Sequence, residues 1–498
     1  MSGIDRFVLE GLIYVPMIAA LVLVFVPSRR RGIVRWLSVA TGVVLLALSL
    51  YVFLGYDRGA GAPVFQFAHG YPWLERLGIR FALGVDGFAV PMVLLTGIVS
   101  ATGALVAMKV EHETKSYYVL LFLLIAGVYG TFVSVDMFFF FLFYELAVVP
   151  MYLLIGVWGS TNKEYGALKL VLMLVAGSVL VWIGIIAIWV AAKEGGFPTF
   201  DIPTLQANAD ALFSPTFQRV VFPLIMIGFG VLAGLWPFHT WSPDGHVAAP
   251  TTVSMLHAGV LMKLGAFGII RIGMTLLPSG MEDWALVLFI LGTVNVIYGA
   301  ASALAQRDLK YVIGYSSVSH MGYVLMGIAT LEPVGLAGAT LQMFSHGVMT
   351  ALFFAIIGTI YDRAHTRDID ALNGLASRMG WTTAFFVIAG LTSLGLPGLS
   401  GFIAELLVFI GAFRTQPVLG VLGVIGAAMT ATYMLRLIAK VFFGPRDPKW
   451  DRLNDLSLSE GIAATGLLIP IVLIGVYPAP FLDIIDRGVG TLLAVAGG

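Results

Sequence analysis

The sequence predicts an all-α, polytopic membrane protein of about fourteen transmembrane helices, and three observations predict it. Of its 498 residues, 59% are hydrophobic and 11% charged, more apolar surface than a soluble chain of this length can bury. The apolar residues fall into runs near the roughly 20 residues that a helix needs to cross hydrocarbon. The polar or Gly/Pro breaks between runs leave no room for a soluble domain, so 1–498 reads as a single membrane domain.

The runs centre on Ala20, Val44, Leu95, Ile125, Leu146, Val179, Met226, Leu261, Leu291, Gly322, Phe353, Leu391, Ala427 and Leu468. The first, Gly11 to Val26, is followed by Arg29, Arg30 and Arg31 instead of being preceded by basic residues, the reverse of a cleavable signal peptide, so it reads as a retained helix. The two longest connections, Gly55–Val85 and Lys193–Gln218, mix acids, bases and prolines like structured extramembrane loops, and the second has the composition for a surface helix. Lysine and arginine in the short loops, among them Arg29–Arg31, Lys109, Lys115, Lys163, Arg307, Lys310, Arg363 and Arg367, place those loops on the cytoplasmic side. With an even helix count both termini then lie outside.

Two segments are interrupted alike. Gly228–Phe229–Gly230 through Gly234–Leu235–Trp236–Pro237 breaks the seventh, and Gly395–Leu396–Pro397–Gly398 breaks the twelfth. Proline removes a backbone donor, and carbonyls freed in hydrocarbon need protein or water partners, so such breaks persist only inside a protein. Their five-segment offset suggests two inverted five-helix repeats, 117–272 and 284–444, each with one broken helix. These are preceded by N-terminal helices over 1–116 and followed by a C-terminal helix in 445–498.

Composition also excludes functions. Formal net charge is zero, so nothing resembles the basic field that binds nucleic acid. There is no cysteine, which removes thiolate ligands for clusters and zinc, disulfides and thiol nucleophiles. No glycine spacing matches a dinucleotide loop or a P-loop, and a cofactor or metal site is not expected on this chain.

Ionisable residues within the apolar runs carry the functional reading. Glu145 and Lys263 each sit mid-segment, where a charge costs about 2.5–3.5 kcal/mol and should face the bundle. As a pair they form a proton switch or a fixed structural ion pair. His320 shares a face with Ser316, Ser319 and Tyr323, and His346 one with Gln342 and Thr350. Imidazoles on facing stripes can relay protons, although a single such histidine is more often a hydrogen-bonded core residue. Glu405 follows the second break, where a half-helix begins. Asn295, Gly299, Ser302 and Gln306, and likewise Thr432, Arg436 and Lys440, form stripes able to line a hydrated path, with Lys440 read as reaching the cytoplasmic interface. His239 and His246 flank Asp244 after the first break, which reads as a loop cap and a point of proton entry.

The stretches Trp236–Pro237–Phe238–His239–Thr240–Trp241–Ser242–Pro243–Asp244–Gly245–His246, Leu261–Met262–Lys263 and Tyr315–Ser316–Ser317–Val318–Ser319–His320–Met321–Gly322 resemble the antiporter-like subunits of respiratory complex I. Those subunits are related to subunits of multi-subunit sodium/proton antiporters. Glu405, where several relatives have lysine, favours the chain M type of NADH–quinone oxidoreductase. The resemblance implies fourteen helices with two inverted repeats, in a bacterial inner membrane with both termini periplasmic. It implies other complex I membrane subunits as partners, antiporter-like paralogues included, with FMN, iron–sulfur clusters and quinone on other subunits. It further implies that Glu145 pairs with a lysine on the first broken helix, that Lys263 connects onward, that His320 and His346 bridge the halves, and that Glu405 is the exit-side carboxylate. The proton path would also include Arg436.

The sequence departs from that pattern at Leu232, which stands where the lysine is expected, and no lysine lies between Lys193 and Lys263. What replaces that lysine is open at this point: Lys169 or Lys263 as the partner of Glu145, or His257 taking over part of the role, are the alternatives. Three functional readings follow: a proton-translocating subunit, a cation/proton antiporter subunit, or a scaffold that does not conduct.

Overall fold

The computed structural model describes residues 3–59 and 61–496; the terminal residues expected on the outer side lie outside the described residues. Helices α1 (Gly3–Phe25) and α2 (Arg31–Gly55) lead into an antiparallel hairpin, β1 (Gln66–Leu74) and β2 (Ile79–Val85). The hairpin is the structured form of the first long loop. Its turn passes through Gly78 at φ +69°, where a Cβ would lie 1.7 Å from the Pro198 carbonyl oxygen, so only glycine lets the two long loops touch.

Helix α3 (Ala89–Val106) completes the N-terminal helices, and the first repeat region follows as α4 (Thr114–Val133), α5 (Met137–Trp158), α6 (Lys163–Glu194), the short surface helices α7 (Ile202–Ala207) and α8 (Ala209–Leu212), and α9 (Pro215–Ala233). After α9 come α10 (Trp241–Ala248), α11 (Thr251–Leu256) and α12 (Met262–Gly268). Two π-helical turns, His257–Leu261 and Ile269–Met274, interrupt this last span. The second region contains α13 (Pro278–Ala305), α14 (Leu309–Ala329), α15 (Pro333–Ala364), α16 (Gly380–Ser393), α17 (Ser400–Thr415) and α18 (Pro417–Val441), and the chain closes with α19 (Leu458–Val476) and α20 (Ala479–Ala496).

Thirteen helices among the described residues are long and apolar enough to cross a membrane, and the broken pair α16 and α17 makes a fourteenth crossing. The apolar windows of the span 251–274 and of α15 are entirely buried and that of α14 nearly so, whereas α1, α2, α6, α13, α18 and α19 leave more than half of theirs unburied. Charged and imidazole side chains therefore concentrate where protein, not lipid, surrounds them.

The two regions start their second helices in the same way. Asp136 accepts from the N–H groups of Phe138 and Phe139 to cap α5, and Asp308 accepts from those of Lys310 and Tyr311 to cap α14. Each capping residue also forms a backbone bridge to a later loop, Asp136 to Asp201 and Asp308 to Asp368. Counting crossings puts the two caps at opposite ends of the bundle, as inversion requires.

One element was not legible. Residues 445–498 hold two membrane-region helices where one was expected, because Pro478 separates α19, which ends at Val476, from α20, which begins at Ala479. It packs on α3 and α15 at the hairpin end, and Arg487 donates to the carbonyls of Gly59 and Ala62. Beneath this end Arg271 grips Asp86 through two 2.7 Å hydrogen bonds, and Asp86 also accepts from the N–H groups of Phe88 and Ala89.

Candidate functional site

The site is assembled from both broken helices and the three buried spans between them. At the first break α9 ends on Gly234 at φ +79°, and the backbone left unpaired there is met by Asn295 of α13. Its Oδ1 accepts from Trp236 N at 2.6 Å, and its Nδ2 donates to the carbonyls of Gly234 at 2.8 Å and Val318 at 3.3 Å. Asn295 was expected to line a water path; it instead holds the break open, since a buried peptide group without a partner costs about 1–3 kcal/mol.

From this break a run of ionisable groups crosses the bundle. His246 of α10 bonds through Nε2 to Ser242 Oγ at 3.1 Å, and its ring centre lies 4.1 Å from that of His257. Lys263, fully buried on α12, donates to the carbonyl of Ala258, five residues back, which the π turn directs toward it. Its Nζ lies 2.7 Å from His346 Nδ1 on α15. The His346 and His320 rings are 5.4 Å apart. His320 of α14 contacts Ser393 Oγ through Nε2 at 2.9 Å, and its Nδ1 faces both Gln342 Nε2 at 3.2 Å and Glu405 Oε1 at 3.3 Å. Glu405 lies against the second break, where a Cβ on Gly395 would meet its Oε2 at 3.0 Å.

That geometry gives His320 two states. A neutral ring accepts at Nδ1 from the Gln342 amide; a protonated ring donates from Nδ1 to Glu405. Gln342 Oε1 has no hydrogen-bond partner among the described residues, so rotating its amide offers an acceptor that suits the second state. His346 Nε2, His246 Nδ1 and both nitrogens of His257 are likewise buried without a hydrogen-bond partner, and buried polar atoms of this kind are normally served by ordered water.

Other expected residues lie elsewhere. Lys169 is not beside Glu145: it pairs with Asp244 at 2.7 Å, to which Tyr311 also donates. Glu145 does not meet Lys263; it is part-buried near Ser178 in the body of α5, with Oε1 unpartnered, and enters no ion pair among the described residues. The expected Glu145–Lys263 switch is thus not formed among the described residues, and Leu232, fully buried where the resemblance implies a lysine, supplies no cation. Arg436 faces outward. With Gln306, Arg307, Asp370 and Lys440 it lines an open cleft of about 260 Å³, because its face of α18 is the one turned from the bundle. Lys440 pairs there with Asp370, as an interfacial lysine should. His257 joins the run by ring contact only, between Trp241 and His246. On α14, Ser319 and Tyr323 spend their hydroxyls on the carbonyls of Val296 and Gly423 and Ser316 accepts from Tyr433, so of that stripe His320 is the member in the axis.

Sequence reasoning missed Ser393, whose signal was a hydroxyl immediately before the second glycine break. It also left Lys310 in a cytoplasmic loop, although two residues after its Asp308 cap the chain is already helical and turned inward.

Residues 134–430 match the family model described as NADH:quinone oxidoreductase/Mrp antiporter, TM. A protein named NAD(P)H-quinone oxidoreductase chain 4 1 from Thermosynechococcus vestitus is 36% identical, covering 98% of this chain and 93% of that one. A chain of the same name from Synechococcus elongatus is 38% identical over 94% and 88%. A chain of respiratory complex I from Thermus thermophilus superposes with a TM-score of 0.89 at 26% identity, covering 98% of this chain and all of that one. A chain of the Mrp complex from Dietzia sp. gives 0.86 at 20% identity over the full length of both, a likeness of fold alone.

Proposed function

Since the chain belongs to the NADH:quinone oxidoreductase/Mrp antiporter membrane family, we propose that it translocates protons as a chain 4 (chain M type) subunit of an NAD(P)H:quinone oxidoreductase. One observation carries this reading: Lys263, His346, His320 and Glu405 lie in successive contact, buried, across both broken-helix regions. Each link joins groups that can hold or release a proton. Moving one along requires only hydrogen-bond exchange and small side-chain rotations, while the surrounding helices exclude lipid and bulk water.

In this reading electron transfer belongs to other subunits. With no cysteine this chain offers no thiolates to an iron–sulfur cluster, and the proposal assigns it the charge-moving limb of the translocase, with flavin, clusters and quinone on partner chains. The basic loops assign the end bearing Lys109, Lys310, Arg363 and Arg367 to the cytoplasm and the hairpin end to the periplasm of a bacterial membrane. Other membrane subunits and lipid cover the apolar outer faces of α1, α2, α6 and α18.

The test is Lys263→Met in the assembled complex reconstituted into vesicles, comparing protons moved per electron pair. A lower ratio at normal complex content is expected. An unchanged ratio refutes conduction through this chain and supports a scaffold, and uptake of labelled sodium in exchange for protons, absent electron transfer, would favour an antiporter.

A further inference from the structure

At the cytoplasmic end a cavity of about 230 Å³ runs inward, lined among others by Lys109, Asp362, Tyr117, Thr252, Glu460 and Lys310. Its mouth is open, since the side chains of Lys109 and Asp362 are 42% and 47% exposed. Its volume admits several waters at about 30 Å³ each. Its inner end is the side chain of Lys310, which is 4% exposed.

What surrounds that amine is unusual. Every nearby acid is matched to another cation: Asp308 to Arg367 at 3.1 Å, Asp362 to Lys109, and Glu460 to Arg363 at 2.7 Å and to Lys109. Lys310 itself enters no ion pair among the described residues. Its Nζ is held by the Ala249 carbonyl at 2.6 Å, Ser254 Oγ at 3.3 Å and the His246 carbonyl at 3.5 Å, where the negative end of the α10 dipole points. A buried structural lysine is ordinarily fixed by a carboxylate; one held by carbonyls and a hydroxyl beside a hydrated cavity is free to exchange its proton.

On its inner side stands the first imidazole of the axis. His246 has Nδ1 buried without a hydrogen-bond partner and lies within electrostatic reach of Lys310, His257 and Lys263. Ser254 Oγ links Lys310 Nζ to the His246 carbonyl at 3.0 Å.

We propose that Lys310 is the cytoplasmic loading site of the buried axis, taking protons from cavity water and passing them to the His246 imidazole. The ammonium gives one proton to Nδ1 of His246 across the Ser254 hydroxyl, and the neutral amine regains one from the cavity. Only N–H and O–H bonds are made and broken, and one proton moves inward per cycle. This role rests on the translocation reading above and deepens it by naming the entrance.

The experiment uses the assembled complex in vesicles and compares Lys310→Met, Lys310→His and Lys263→Met for protons moved per electron pair across a pH series. Lys310→Met should lose the same share of the ratio as Lys263→Met. Lys310→His should keep pumping below the imidazole range, about pH 6.5, and lose that share as pH rises past it, while the natural chain holds to higher pH. Arg367, Asp308, Asp362 and His246 face this position and set where its own transition falls. A full ratio in normally assembled Lys310→Met, with a loss in Lys263→Met, overturns the loading role and leaves translocation standing. No loss in either variant overturns translocation itself. If Lys310→Met does not assemble, the Lys310→His profile decides, and a profile matching the natural chain refutes the proposal. If neither assembles, Ser254→Ala decides: about a tenfold slower proton flux is expected, and an unchanged flux refutes it.

Discussion

Replacing Asn295 by leucine removes the clasp on the first broken helix while nearly preserving volume. Three hydrogen bonds go: from Trp236 N, and to the carbonyls of Gly234 and Val318. The Val318 carbonyl lies within α14, so the decisive losses are the two groups of the break, each left buried at about 1–3 kcal/mol. The expected destabilisation is about 2–6 kcal/mol. Because 1.4 kcal/mol is a factor of ten, opening of the break should become at least about 30-fold more frequent. Hydrogen exchange reads this at amides the substitution does not touch, Leu235, which donates to Gly230, and Phe238, which donates to Leu235. Both should exchange at least about 30-fold faster in Asn295→Leu, with protection in distant α2 unchanged. If Leu235 and Phe238 keep their natural protection, Asn295 is not what holds the helix open, and the assignment of its side chain is wrong.

Three further outcomes follow from the geometry. Asp86→Asn should lower the thermal stability of the solubilised protein by about 3–5 kcal/mol, because Arg271 is left buried without its anion; Asp86→Leu combined with Arg271→Met should cost less than either single change. Lys169→Met should cost only about 1 kcal/mol and leave the proton-to-electron ratio intact, since its pair with Asp244 is partly exposed and stands off the axis; a loss equal to that of Lys263→Met would contradict this placement. Leu232→Lys puts an ammonium at a fully buried position and should destabilise by about 2.5–3.5 kcal/mol, more when combined with Glu145→Gln; additive losses in a double-mutant cycle would mean that Glu145 does not reach that site.

Much of this molecule is written in one dimension. Hydrocarbon admits only backbone that satisfies itself, so runs of apolar residues and their Gly/Pro interruptions determined the helices, both breaks and the doubled plan from the sequence alone. The penalty on charge in lipid likewise singled out Lys263, His320, His346 and Glu405 before any coordinates, and these four prove to be neighbours. Which polar residues join them was not determined that way. Helical spacing gives the face a side chain occupies and says nothing of what lies opposite. Asn295 and Ser319 sit on stripes as suggestive as that of His320, yet they meet backbone carbonyls and amides, while Arg436 looks outward into a cleft. Glu145 and Lys169, a plausible couple by position, do not pair among the described residues; the lysine goes to Asp244, beyond the first break. Lys310 lay hidden among loop cations. Such choices depend on crossing angles and on where a broken helix points its free groups, quantities fixed only when fourteen spans pack together, since each buried dipole or charge settles with whichever partner that packing brings within about 3 Å.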